Sequence, residues 1–155
     1  MEKAPLAPLL ELTRFNICID NFELPKGRMY HRYKDGVVNF YGIESLVLAM
    51  DNIMDETGKP QMFLKMRNFN RKKLKHAENF KLGTVAQYMD FMNEIEQKGE
   101  QATFIVQIRL RQNTSWQGTV RWVEKGKSEN FRSALELIKL IDDAGASERI
   151  SEKQA

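Results

Sequence analysis

The strongest constraint in this sequence is that part of it occurs twice. Sliding the 155-residue chain against itself by 91 positions sets residues 15–53 against 106–144 without a gap. In that window Ile17 meets Ile108, Gly27 meets Gly118, Lys34 meets Lys125, Asn39 and Phe40 meet Asn130 and Phe131, Leu46 meets Leu137, and Asp51 meets Asp142. A repeated segment implies a repeated supersecondary unit, so whatever one copy folds into, the other is expected to match.

The apolar pattern repeats along with the identities. Phe15, Ile17 and Ile19 alternate with Asn16 and Cys18, while Phe104, Val106, Ile108 and Leu110 alternate with Ile105, Gln107 and Arg109. Period two marks a half-buried strand. Further on, Ile43, Leu46, Val47, Met50 and Ile53 correspond to Ala134, Leu137, Ile138, Ile141 and Ala144 at helical spacing, which gives two helices with one buried stripe each. Ser133 with Glu136 forms a capping box and Gly145 is read as the stop of the second helix; Gly42 takes the cap position of the first. Between strand and helix, a second strand begins at the shared glycine (residues 28–33 and 119–124), followed by turns at 34–36 and 125–126 and a short third strand leading to Asn39-Phe40 and Asn130-Phe131.

The fold class expected is therefore α+β: two tandem strand-strand(-strand)-helix repeats forming an antiparallel sheet with helices packed on one face. As one domain over 1–155, it divides into repeat one (about 13–56), a connector (about 57–100), repeat two (about 102–145) and a flexible tail (146–155). The connector is expected to hold a strand at 61–69, from Met62, Leu64 and Met66, and a helix bearing Val85, Tyr88, Met89, Met92 and Ile95, capped by Thr84. With helices on one side, the other side of the sheet is where a partner is expected.

Composition bounds the function. Apolar residues make up 42% and charged residues 29%, as in folded soluble proteins and unlike disordered chains. No apolar run approaches the roughly 20 residues of a membrane span, and the first ten residues do not resemble a secretory signal, so a cytoplasmic location is expected. The lone Cys18 fits a reducing compartment.

Catalysis needs a positioned acid, base, nucleophile or metal. The two histidines, His31 and His76, show no metal-ligand spacing, and no phosphate loop, dinucleotide fingerprint or nucleophile elbow occurs. The chain is read as a non-enzyme without cofactor or metal. His31 aligns with Trp122 and is expected to face inward; Asp51 and Asp142 are read as surface acids.

Charge is more informative once located. Residues 59–81 hold eight Lys or Arg (Lys59, Lys65, Arg67, Arg71, Lys72, Lys73, Lys75, Lys81) against the single acid Glu78, while the rest of the chain holds 16 basic and 20 acidic residues. The net charge of +3 thus arises from one segment, the pattern of a polyanion site. Pleating of the second copy sends Gln107, Arg109, Arg111, Gln117, Thr119 and Arg121 to the face away from the helices. Trp116 stands at the adjoining turn, where an exposed indole would stack on a base. The first copy offers Asn16, Cys18, Lys26, Arg28 and Tyr30 there.

Residues 102–122 and 130–142 resemble a group of small proteins of clostridial bacteria that has no function to carry over. In addition, Phe131, Arg132, Ser133, Ala134 and Leu135, the Leu140-Ile141-Asp142-Asp143 run and Lys26-Gly27-Arg28 are similar to the PUR and whirly class of single-stranded nucleic-acid binders, whose repeats run several antiparallel strands into one helix. That resemblance implies single-stranded RNA or DNA as partner.

Two functions are thus expected in order. The first is single-strand binding through Arg109, Arg111 and Arg121 on the sheet, Lys65, Arg67, Arg71, Lys72 and Lys73 in the connector, and Trp116 and Tyr30 for stacking. The alternative is a homodimeric assembly module, for which eight methionines offer an adaptable surface.

Overall fold

The computed structural model describes residues 13–31, 37–62, 64, 66, 67, 69 and 97–154, with side chains to 148. Six strands and two helices follow one another: β1 (Arg14–Asn21), β2 (Lys26–Tyr30), β3 (Val38–Tyr41), α1 (Ile43–Thr57), β4 (Ala102–Leu110), β5 (Gln117–Trp122), β6 (Lys127–Phe131) and α2 (Ala134–Gln154). The strands form one sheet in the order β3-β2-β1-β4-β5-β6, every neighbour antiparallel. The chain is α+β. No helix among the described residues is long and apolar enough to cross a membrane.

One side of this sheet carries the apolar members of the period-two pattern. Phe15, Ile17 and Ile19 of β1, Met29 of β2, Phe40 of β3, Phe104, Val106 and Ile108 of β4, Val120 of β5 and Phe131 of β6 are buried in one cluster with Leu46, Met50 and Ile53 of α1 and Leu137, Ile141 and Ala144 of α2. Alternation and helical spacing thus converge on a single core beneath both helices, and their burial is the main drive for folding.

The registers of the two halves answer to each other. Ile19 pairs with Gly27, which pairs with Phe40; Ile108 pairs with Gly118, which pairs with Phe131. Each first ladder is irregular at one place, between Ile19 and Asn21 and between Ile108 and Leu110. The glycines occupy matching positions for one physical reason: a Cβ on Gly27 would collide with the carbonyl oxygen of Cys18, and one on Gly118 with that of Gln107. These registers keep the shift of 91 for β2 and β3 but make Ile19 answer to Ile108, a shift of 89 for the first strands. The loop between β4 and β5 is two residues longer than its counterpart. Two residues are one full pleat, so an ungapped comparison keeps every apolar side chain on its correct face.

The helix starts follow the local chemistry. At α2, the Glu136 amide donates to Ser133 Oγ at 3.1 Å, while the Glu136 carboxylate reaches back to the amide of Arg132 at 3.2 Å. The Arg132 guanidinium holds that carboxyl below its usual range. Gly42 caps α1 at φ 87° with no side-chain cap bond, and α1 ends where Gly58 turns left-handed at φ 64°. The turn expected at 125–126 is present, with Gly126 at φ 61° and its amide donating to Val123 O. That expected at 34–36 lies outside the described residues, as does the connector helix expected from Thr84 onward.

Two expectations are corrected. Gly145 does not stop α2, which runs through it to Gln154; a Cβ there would meet the ring of Phe22, so this glycine makes room for a packed aromatic instead. The described residues of 61–69 form no strand, and Leu64, Met66 and Phe69 are exposed. Alternation yields a strand only where another edge completes its hydrogen bonds.

Candidate nucleic-acid interface

The face away from the helices is built by the residues between the core positions. In its second half, registers place Arg14, Gln107, Thr119 and Asn130 side by side across four strands, with Ile105, Arg121 and Ser128 in the next row. Arg121 is exposed on β5 and Arg109 is exposed near the end of β4. Among the described residues neither is ion-paired. Both side chains therefore present guanidinium donors outward in a fixed fork, a geometry that suits phosphate oxygens.

The centre of this face is covered, against the expectation of one broad open side. Residues 97–101 run across it into β4. Gln97 O accepts from Asn16 Nδ2 at 3.5 Å and from Cys18 Sγ at 3.4 Å; the Gly99 amide donates to Thr103 Oγ1 at 3.0 Å and the Glu100 amide to Asp20 Oδ1 at 3.1 Å. Asn16, Cys18 and Thr103 are accordingly buried. Burial pushes the Cys18 thiol up to about 11, which leaves it protonated and unreactive at neutral pH.

The first half of the face is electrically different. Arg28 donates to both oxygens of Asp20 at 3.3 Å, to Tyr30 Oη at 3.2 Å and to Lys98 O at 2.9 Å. The bond to Asp20 raises its pKa further and holds the cation in place. Tyr30 stands half-buried on the expected face. Lys26, Asn39 and Tyr41 surround a cleft of about 230 Å³ with Asp20, Arg28 and Glu100.

Two expected site residues are corrected. Arg111 is not on this face: it is 2% exposed, its Nη1 lies 2.7 Å from Asp55 Oδ1, and it donates to Pro60 O at 2.8 Å and Met54 O at 3.3 Å. The irregularity between Ile108 and Leu110 breaks the alternation, leaving Leu110 exposed and turning Arg111 inward. Trp116 is 4% exposed and part of the core, its indole N–H donating to Asp51, so it offers no stacking surface. Apolar area dominates the indole and draws it inward once a partner for its single donor is at hand.

His31 is buried as expected, its ring 4.6 Å from that of Phe15. Asp142 is exposed, whereas Asp51 is half-buried under the β4–β5 loop. Arg67 is exposed; Lys65, Arg71, Lys72 and Lys73 lie outside the described residues. Sequence reasoning passed over Tyr41 and Arg14, although strand parity around Phe40 and Phe15 points both to the outer face. Among the described residues, no three His, Cys, Asp or Glu side chains group as metal ligands do.

The fold and its outer face thus define an α+β protein with a six-stranded antiparallel open sheet, two helices over one side and an arginine-bearing strip on the other. Compared with protein-family models, curated proteins and solved structures, the chain matches none.

Proposed function

We propose that this chain is a non-enzymatic binder of single-stranded nucleic acid, built as a tandem repeat of a strand-strand-strand-helix unit and binding through the second repeat's outer face. One observation carries the reading: Arg109 and Arg121 stand exposed, without a carboxylate partner among the described residues, beside the hydrogen-bonding side chains of Gln107, Thr119 and Asn130. Such a strip holds a phosphate backbone by charge and offers polar groups to sugars and base edges. The basic run at 59–81 adds charge of the same sign, and the likeness to PUR and whirly repeats points the same way. Tandem repetition is supported by the matched registers, the matched ladder irregularities and the paired glycines.

The test is the salt dependence of binding to a labelled oligonucleotide, followed by fluorescence anisotropy. Affinity should fall linearly with log salt, and Arg109→Ala with Arg121→Ala should lower the slope by about 1.4, at about 0.7 per phosphate contact on a single strand. Binding insensitive to salt, or a slope unchanged in the double variant, would end the proposal.

A further inference from the structure

The cleft in the first half of the outer face is a second kind of site. Three pairs of neighbours line it. Lys26 is directly opposite Tyr41 and Arg28 directly opposite Asn39 in the β2–β3 ladder, while Asp20 joins Arg28 to the amide of Glu100. Two cations and two carboxylates cancel. A phosphate gains little there, because Arg28 is already committed to Asp20 and Glu100 repels an anion.

Tyr41 is the feature that asks for a ligand. It is 76% exposed, the most exposed aromatic among the described strand residues, and stands on the short edge strand β3 with its ring in water. The strand is fixed from behind by buried Phe40 packed at Gly27, so Tyr41 is held by a rigid element. Asn39, also exposed, lies two residues away on the same face and supplies a donor and an acceptor on one amide. An exposed ring beside an amide, in a cleft without net charge, matches an uncharged planar heterocycle with hydrogen-bonding edges.

The register correspondence sharpens the contrast. Asp20 answers to Arg109 and Tyr30 to Arg121, so equivalent positions carry an acid and a phenol in one half and guanidinium groups in the other. We infer that the two halves divide the recognition of one strand: the second holds phosphates, and the Tyr41–Asn39 cleft of the first stacks and reads a base. This inference rests on the nucleic-acid reading above and adds a base-binding subsite to it. Tyr41 on β3 and Arg121 on β5 are four strand spacings apart across the sheet, roughly 19 Å, and their registers meet β1 at Asn21 and Asn16, roughly 16 Å apart along it, so the two lie about 25 Å from each other, within the span of a short oligonucleotide.

Two probes of equal length separate the contributions: a labelled oligothymidine of about 16 nucleotides and the corresponding abasic strand, which keeps the phosphates and lacks the bases. Tyr41→Ala should weaken oligothymidine binding by about 5- to 150-fold, the range for one base stacked on an aromatic. It should leave abasic binding and the salt slope unchanged, and Tyr41→Phe should restore most of the loss. Because Tyr41 is exposed, the variant fold is not in question; a circular dichroism melt matching the parent checks it. Free thymidine should not displace the strand, since it lacks the phosphate contacts. The inference is overturned if Tyr41→Ala weakens both probes alike or neither while the Arg121→Ala slope still falls, and equally if thymidine alone displaces the strand, which would reassign the cleft to a free nucleoside. Failure of the unmodified protein to bind either probe at low salt would instead remove the nucleic-acid reading itself.

Discussion

Asp51 sits half-buried on α1, where burial first and the neighbouring Asp55 second push its carboxyl above the ordinary range, opposed by Arg111 and by the bond from Trp116. An acid raised in this way holds its proton more tightly in the folded chain than in the unfolded one. Its contribution to stability is therefore complete below the unfolded value, near 3.9, and is lost as pH climbs through the raised folded value. At neutral pH the ionised group opposes folding. Asp51→Asn keeps an acceptor for the indole and removes that cost, so the variant is expected to melt a few degrees above the parent at pH 7 and to lose the advantage as pH falls to about 3.5. Thermal unfolding by circular dichroism across that range checks the sign. A variant less stable than the parent at neutral pH would mean that the ionised carboxylate gains more from Arg111 than it loses to burial.

At the level of strands and helices, the sequence pattern and the structure agree where periodicity is governed by one continuous core, as from Phe15 to Ile19, Phe104 to Ile108 and Leu46 to Ile53. They part where a ladder changes phase. Arg111 lies three residues past Ile108, on the far side of the irregularity, and an alternation counted through that point assigns it to the wrong face. Trp116 closes the same loop, and nothing in its spacing tells a capping indole from an exposed one. The candidate strip was legible at Arg121 because β5 is regular there, and at Arg109 because it is the extra residue of the irregularity itself and the alternation fails only from Leu110 onward; the cover laid by residues 97–101 was not, because it depends on where the connector returns. The misplaced arginine has a structural role instead. With its guanidinium bonded to Asp55, Pro60 O and Met54 O, it pins the β4–β5 loop to α1. Arg111→Ala should cost about 3–5 kcal/mol, because Asp55 loses this buried cation and the carbonyls of Pro60 and Met54 lose its N–H donors, whereas Arg111→Met with Asp55→Leu should recover most of that loss. Urea midpoints of the three proteins decide it, and a single variant within about 0.5 kcal/mol of the parent would contradict the assignment.

For the molecule as a whole, the strand order reads the same from either edge, and the central β1–β4 ladder pairs Phe15 with Val106, Asn16 with Ile105 and Ile17 with Phe104. Under that register correspondence the ladder is symmetric about Asn16–Ile105, and on the tandem-repeat reading proposed above the two halves would meet as halves of a pseudo-dimer sharing one sheet. They also reach across each other. Arg111 and Trp116, from the second half's hairpin loop, bond to Asp55 and Asp51 on α1, while Phe22, from the first half's loop, packs on Gly145 of α2. Each helix is therefore completed by the opposite half, and neither half retains a whole core when the other is removed. Separate unfolding of the two halves would expose the β1–β4 edge and orphan the buried arginine, so the chain is expected to unfold in one transition. Single-tryptophan variants make this measurable. Trp122→Phe leaves Trp116 as a reporter of the crossing loop, and Trp116→Phe leaves Trp122 as a reporter of the second half. In each variant the fluorescence midpoint in urea should coincide with the midpoint of far-ultraviolet circular dichroism from the same sample. A Trp122 signal that persists after half of the helix and strand signal has gone would show the second half standing alone, and the pseudo-dimer would then be two domains in contact.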